Sequence, residues 1–528
     1  MSRITSGMMI ASVVLLTILL LVHMWTATGD GLATSFEDDA FYYFGTARNI
    51  ASTGISTFDG TTVTNGYHPL WMAVILPAFL VSGDPLLPLR IAGSISILLM
   101  SAGTLVGTIA MTRRHPPLVS APCTFLMLRY LRDFSSMAME TSVLIPLCIA
   151  ALIQADSLKR GRSRPGGYLI LGVLLLLILL SRLDAIVLVI LLVAAVLSGI
   201  PAGSTRRRAF PAVTMPSLFG IIAYLACNRL TTGLLLPVSG ALKSSFLTFN
   251  GLFARQLFLL SDPLRLRSPW GLYLLYLILS IAFLRMTAIS RARQAGHPPG
   301  RGRGRPGSVD LVIPALMIAH TAIYLFNSTW RLWYWYAWPA VLFTVFTLPG
   351  ILSGVWRYAS GRYPSPGGLR IRGAVHAASA ALLIPCSIYW GLKHGNPSPG
   401  DFRYRNLIVA RQLNDELAPG SVIAMGDCAG SFSWFFDGRV IQLEGLMGDK
   451  EMLEAIQAGD LERYVIARAP DYLLSHTGPE GIVEYGEWGL LYPDRAQSTG
   501  PQDTIFVNSD DEVHRWESEE GCIFLWRL

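Results

Sequence analysis

Uninterrupted apolar stretches such as Leu169–Leu180 and Leu188–Leu197 constrain this chain more than any other feature, because runs of that kind need lipid or a helical neighbour around them. They recur through most of a 528-residue sequence that is 52% hydrophobic and only 15% charged, with a mean hydropathy of +0.45. A single water-soluble core is excluded. A polytopic α-helical membrane protein is predicted, with roughly eleven to thirteen helices at about 20 residues per crossing. The first segment, from Met8 to about Thr26, lacks a small-residue cleavage site and reads as an uncleaved helix.

The net charge of +7 does not point to nucleic acid, because Lys and Arg fall in short clusters between apolar segments rather than on one face. Such clusters report topology by the positive-inside rule. Lys159 to Arg164, Arg206 to Arg208, Arg291 to Arg305 and Arg357 to Arg372 are therefore expected in the cytoplasm, with the N-terminus. The chain is expected in the cytoplasmic membrane. The turns between these clusters, around Arg182 to Asp184, Pro237 to Lys243 and Trp330 to Tyr336, then face outward. One stretch breaks the parity. Three apolar segments separate His68 from Glu140, whereas both residues are wanted on the same outer side. Either one segment is short and does not span, or Arg113-Arg114-His115 marks some other break.

The composition changes near Gly391. Gly395 to Gly400 reads as a linker, and beyond it Asp and Glu accumulate among strand-like runs at Ser421–Met425, Arg439–Leu443, Tyr472–Leu474 and Cys522–Trp526. Helical patterns at Arg405–Leu417 and Lys450–Gln457 alternate with them. The expected division is a membrane domain over 1–394, with a first outer loop at 28–68, and an extracytoplasmic α/β or α+β domain over 395–528. Cys428 and Cys522 both fall in that outer domain, where a disulfide is an open alternative. No CxxC or His-rich spacing suggests zinc.

The chemistry concentrates in Glu37-Asp38-Asp39-Ala40-Phe41-Tyr42-Tyr43, followed by Thr64-Asn65-Gly66-Tyr67-His68-Pro69-Leu70-Trp71. Three adjacent carboxylates at a membrane surface repel one another and resist desolvation, so they serve hydrogen bonding or proton and cation chemistry. A hydroxyl attacking an anomeric carbon needs a carboxylate to take its proton, and a phosphate leaving group needs cations or hydrogen-bond donors. The outward turns supply both. Asp38 and Asp39 are candidate bases, and His68, Arg182, Lys243 and Arg331 are candidate phosphate partners. Plainer readings stand beside these. Either aspartate can cap a helix, Arg182 and Asp184 can form a local ion pair, and Lys243 and Arg331 can snorkel. The run of Trp333 and Tyr334 suits an interfacial belt as well as a sugar platform. Glu140 can simply accept hydrogen bonds from neighbouring helices.

Taken in order, Asp38-Asp39-Ala40-Phe41-Tyr42-Tyr43, Asn65 to Trp71, Met139-Glu140-Thr141, Arg182-Leu183-Asp184, Pro237-Val238-Ser239-Gly240 with Lys243, and Trp333 to Tyr336 resemble the GT-C superfamily of polyprenyl-phosphate-sugar transferases. Within it the chain is most similar to the bacterial branch near the arabinofuranosyltransferases, and more distantly to aminoarabinose and protein O-mannosyl transferases. Arg439 to Leu446 is similar to a strand-turn pattern in the tails of such bacterial members. The resemblance implies a GT-C-like bundle and an inverting transfer from a polyprenyl-phosphate sugar to a cell-envelope glycan or lipid. It makes Asp38 the first-loop catalytic aspartate, with Asp39 and Glu140 as further acidic residues at the same cavity. His68 with Tyr67, Arg182 with Asp184, and Lys243, Arg331, Trp333 and Tyr334 become substrate contacts. Membrane lipids are expected partners and nucleic acid is not. Participation of a divalent cation is left open. So are a protein O-mannosyltransferase, a transporter or lipid flippase, and an assembly protein that would not need the acidic loop.

Overall fold

The protein is represented by a computed structural model, of which all residues are described except 1, 82–83, 162–165, 201–202, 259–268, 295–308, 363–377, 394–400, 427, 478–481, 485–487, 493–502 and 519–520. The linker expected at 395–400 and parts of three basic runs lie outside the described residues.

Six described helices are long and apolar enough to cross a membrane: Arg3–Thr26, Leu87–Thr112, Thr141–Lys159, Thr205–Thr232, Trp270–Ser290 and Val309–Phe326. A bent pair, Tyr334–Phe346 with Leu348–Tyr358, makes up to seven. Four more apolar helices, Pro69–Phe79, Gly167–Ser181, Leu183–Ser198 and Ala378–Leu392, are shorter. Counting apolar runs in the sequence, which gives roughly eleven to thirteen crossings, does not separate these two classes, because spanning depends on unbroken helix length.

The parity problem between His68 and Glu140 has a geometric answer. The helices here are α1 (Ser2–Thr26), α2 (Gly29–Ser35), α3 (Asp38–Thr53), α4 (Pro69–Phe79), α5 (Leu87–Thr112), α6 (Pro117–Ser136) and α7 (Thr141–Lys159). At 11 residues α4 is about 16 Å long, roughly half a hydrocarbon core. It therefore begins and ends at one end of the bundle. Arg90, near the start of α5, donates to the Ala27 carbonyl at the end of α1 (3.1 Å), and His68 Nε2 lies 3.9 Å from Glu140 Oε1. Only α5 and α6 run down and back. At the opposite end Arg114 pairs with Asp156 (2.6 Å), Arg160 meets the same carboxylate (3.1 Å), and His115 meets Ser353 (2.9 Å).

Beyond residue 401 the chain forms a small sheet domain. Its five-stranded sheet has the order β2-β1-β3-β8-β7, from β1 (Val422–Met425), β2 (Arg439–Gln442), β3 (Tyr472–Thr477), β7 (Glu512–Ser518) and β8 (Gly521–Arg527). β1 is parallel to β2 and β3, and the β3-β8-β7 ladder is antiparallel. β4 (Ile482–Glu484), β5 (Trp488–Tyr492) and β6 (Asp503–Val507) form a second, antiparallel sheet.

Alternation along the main strands builds two cores. Ile423, Met425, Leu474, Ile523 and Leu525 pack on one face with Leu413 and Phe432, while Ala424, Leu473 and Trp526 pack on the other with Met452, Ile456 and Tyr464. The first core does not stop at the domain. It also takes in Tyr42 and Phe58 from the segment that follows α2. Cys428 and Cys522 do not form a disulfide: Cys428 precedes the helix Ala429–Phe435, and Cys522 pairs across the sheet with Thr477.

Candidate functional site

A cavity of about 410 Å³ opens where the first turn of α3, the start of α7, the turn at Arg182 to Asp184, the short helix Val238–Lys243 and the Trp330–Tyr336 segment meet. Leu446 and Met447 of the sheet domain complete its wall. Asp39, His68, Glu140, Arg182, Asp184, Lys243 and Arg331 all line it. Residues scattered over nearly 300 positions thus converge as the sequence motifs suggested.

The two adjacent aspartates part company. Consecutive residues on a helix point about 100° apart. Asp39 lines the cavity one turn before Tyr43, on the same face. Asp38 instead turns into the sheet domain, accepting from the Gly430 and Ser431 amides (3.0 and 2.7 Å) and from the Ser431 hydroxyl (2.5 Å). Burial raises the Asp38 pKa from its ordinary value, against the opposing pull of the Ser431 and Gly430 hydrogen bonds.

Beneath the cavity lies a charged network built on one guanidinium. Arg182 donates to Glu140 Oε1 (2.6 Å) and, in a fork, to both oxygens of Asp184 (3.0 and 3.1 Å), with its plane 4.5 Å from the Tyr336 ring centroid. Tyr324 donates to Asp184 (2.7 Å) and Tyr43 donates to Glu140 (2.9 Å), while the His68 amide donates to the Tyr43 oxygen (3.3 Å). Ala138, at φ 47°, turns the chain into Glu140, and its carbonyl is held by the Trp71 indole N–H (3.0 Å). The sequence suggested Arg182 as a phosphate partner with an ion pair to Asp184 as the plainer reading. The ion pair is present and extends to Glu140.

Lys243 and Arg331 stand nearer the opening. Lys243 Nζ is 5.1 Å from the Trp330 ring and the Arg331 guanidinium 5.4 Å from the Trp333 ring. Burial works against the Lys243 charge, but Tyr336, Asp39 and Glu444 outweigh it and hold its pKa above the ordinary lysine value. The short helix bearing Lys243 is pinned by Asn65, which accepts from the Val238 amide (3.0 Å) and donates to Thr232 (3.2 Å).

Three predicted contacts lie elsewhere. Tyr67 bonds to Ser56 (2.9 Å), and Trp333 stacks on Trp335 outside the cavity lining. Tyr334 donates to Glu37, which in turn pairs with Arg403 (3.6 Å). The cavity uses Trp330, Trp335 and Tyr336 instead. Tyr43, Tyr324, Leu446 and Met447 were missed as site residues. Tyr43 was findable from its spacing to Asp39, whereas nothing local marks Leu446 or Met447. Among the described residues, no group of three or more His, Cys, Asp or Glu side chains is arranged to hold a metal ion.

No family model and no curated protein matches the sequence. Among solved structures, the chain is similar to ArnT from Cupriavidus metallidurans bound to undecaprenyl phosphate, at 11% identity over 89% of this chain and 92% of that one, with a TM-score of 0.52. It is also similar to the apo state of that protein (11% identity, 84% and 88% covered, TM-score 0.46). A third similar structure is the oligosaccharyltransferase AglB from Archaeoglobus fulgidus in complex with an inhibitory peptide and a dolichol-phosphate (10% identity, 89% and 69% covered, TM-score 0.47). The first likeness extends over nearly the whole of both chains, so this chain, a helical bundle with a C-terminal sheet domain, shares the fold of that protein.

Proposed function

We propose that this chain is an inverting glycosyltransferase that takes its sugar from a polyprenyl-phosphate donor on the outer face of the cytoplasmic membrane. The observation that carries this reading is one cavity holding a carboxylate, Asp39, together with two cations near its mouth, Lys243 and Arg331. The fold similarity to a protein crystallised with undecaprenyl phosphate supports a lipid phosphate as the anion.

In this reading Lys243 and Arg331 hold the donor phosphate, and the aromatic rings of Trp330, Trp335 and Tyr336 line the sugar. Asp39 accepts the proton of the acceptor hydroxyl as its oxygen bonds to the anomeric carbon. The bond from that carbon to the phosphate oxygen breaks on the opposite face, and polyprenyl phosphate leaves with the electron pair. Arg182 serves differently from the sequence expectation. Three of its five N–H groups are given to Glu140 and Asp184, so in this reading it fixes the cavity floor. His68 has its pKa lowered by burial and is neutral at pH 7, which suits a hydrogen-bond partner more than a counter-charge. The basic residues Arg114 and Arg160, at the end opposite the cavity, support an outward-facing site. The sequence resemblance supports an arabinofuranosyl donor and a cell-envelope glycan or lipid acceptor.

The test is transfer of radiolabel from a panel of polyprenyl-phosphate sugars to envelope acceptors, in membranes holding the intact chain or Asp39→Asn. Transfer from one donor, lost by about 10²–10⁴-fold in the variant, is expected. Equal transfer in both membranes removes Asp39 as the base, and absence of transfer from every donor and acceptor overturns the reading.

A further inference from the structure

Asp38 sits in the acidic motif yet is not among the residues that line the cavity described above. Its carboxylate instead meets a socket made entirely by the sheet domain, with the Gly430 amide, the Ser431 amide and the Ser431 hydroxyl as donors. The fit is close: a Cβ added to Gly430 would stand 2.4 Å from the Asp38 carbonyl oxygen and 2.8 Å from Oδ2, so only glycine admits the carboxylate there. The socket is reinforced from behind. Asn406 donates to the Ser431 hydroxyl (2.9 Å) and to the Cys428 carbonyl (2.8 Å), and its own carbonyl oxygen meets His476 Nε2 on β3 (2.5 Å). Cys428 takes a left-handed φ of 66° to launch the helix, a conformation that non-glycine residues hold only when surrounding contacts impose it.

Apolar contacts flank the carboxylate on the same seam. The ring of Phe41 lies 6.1 Å from Phe435, Phe44 lies 6.3 Å from Trp434, and Arg48 rests 4.6 Å over the Trp434 ring. The other end of the seam is at the cavity, where Gly66 passes beneath the Leu446 carbonyl so closely that an added Cβ would be 1.9 Å from that oxygen. Leu446 and Met447 therefore keep their places in the cavity wall only while the sheet domain is seated on α3 and the 64–68 segment.

We infer that Asp38 is a positioning residue that locks the sheet domain onto α3, holding Leu446 and Met447 against the cavity and Asp39 in phase beside them. The inference rests on the transferase reading for what the cavity does. It differs from the resemblance, which gives Asp38 the proton.

The experiment uses the full-length chain in detergent and in membranes, as wild type, Asp38→Asn, Ser431→Ala, their double variant and Asp39→Asn. Hydrogen exchange is read over 429–435 and 443–448, and transfer is read as kcat and acceptor KM across pH. Faster exchange in both segments is expected for Asp38→Asn and Ser431→Ala, with the double variant no worse than the worse single. Transfer falls by about 10–100-fold in each, through a raised acceptor KM with an unchanged pH profile, as misplacement rather than loss of a base requires. Asp39→Asn loses transfer without changing exchange. Unchanged exchange over 443–448 in Asp38→Asn overturns the inference. So does full transfer in Ser431→Ala beside none in Asp38→Asn. Should Asp38→Asn fail to fold, Ser431→Ala decides alone, since it leaves every cavity-lining side chain in place. Exchange does not depend on the donor, so failure of the transferase reading leaves this inference separately decided.

Discussion

Two acidic centres, one under the cavity and one at the seam with the sheet domain, are stabilised in opposite ways. Under the cavity, Glu140 and Asp184 share a single buried cation, Arg182. At the seam, Asp38 is held by N–H and O–H donors, with the charge of Arg403 acting on it as the weakest influence. The first arrangement depends on charge and fails abruptly if one member is removed. The second depends on shape and direction, and loses its hold by degrees as donors are lost. A floor that must stay fixed is built the first way, and a joint between two folding units the second.

The sharpest way to break the contrast is Arg182→Leu, which leaves two buried carboxylates without their counter-charge. Destabilisation of about 3–5 kcal/mol is expected, read as a lowered thermal midpoint of the purified protein. Survival at the wild-type midpoint would place the two centres in the same class. Next comes Gly66→Ala, where the new methyl must displace the Leu446 carbonyl. A loss of about 1–3 kcal/mol is expected, with faster proteolysis of the sheet domain and an undisturbed bundle. Third, Arg403→Met removes a guanidinium that forks onto Asp401 and donates to the Phe36 carbonyl (2.5 Å). A cost of about 1 kcal/mol is expected, measured as domain release in the same assay.

The smallest effect is set by pH. Burial holds His476 at about 3 in the folded domain, well under its ordinary 6.5. The unfolded chain therefore binds the extra proton, so stability is full above pH 6.5 and declines as pH falls towards 3. About 1 kcal/mol is lost between pH 7 and pH 5.5, and His476→Gln is expected to flatten that slope in pH-dependent unfolding of the domain.

The sequence made the bundle and the strands legible because both follow local periodicity. The runs at Ser421, Arg439, Tyr472 and Cys522 reappear as strands of one sheet, within a few residues at each end. The acidic motif was legible for the same reason, since three adjacent carboxylates are chemically conspicuous. Which aspartate faces the cavity was not. Helix phase is fixed by what packs on it, and the partners of Asp38 lie 392 and 393 residues away. The parity puzzle turned on α4, whose 11 residues include Pro77 and cannot reach across. The aromatic run resisted for another reason: Trp333 and Tyr334 alternate with Trp335 and Tyr336 in a segment too short to show a face.

The shared core at the seam also bears on engineering. Tyr42 and Phe58 belong to the packing of one face of the C-terminal sheet, so that face is unfinished without them. A chimera exchanging only residues 401–528 between related chains would leave Tyr42 and Phe58 behind and set that face of the sheet on a foreign surface. An exchange that keeps this face intact must carry the early segment holding Tyr42 and Phe58 together with the distant tail, which takes three junctions rather than one.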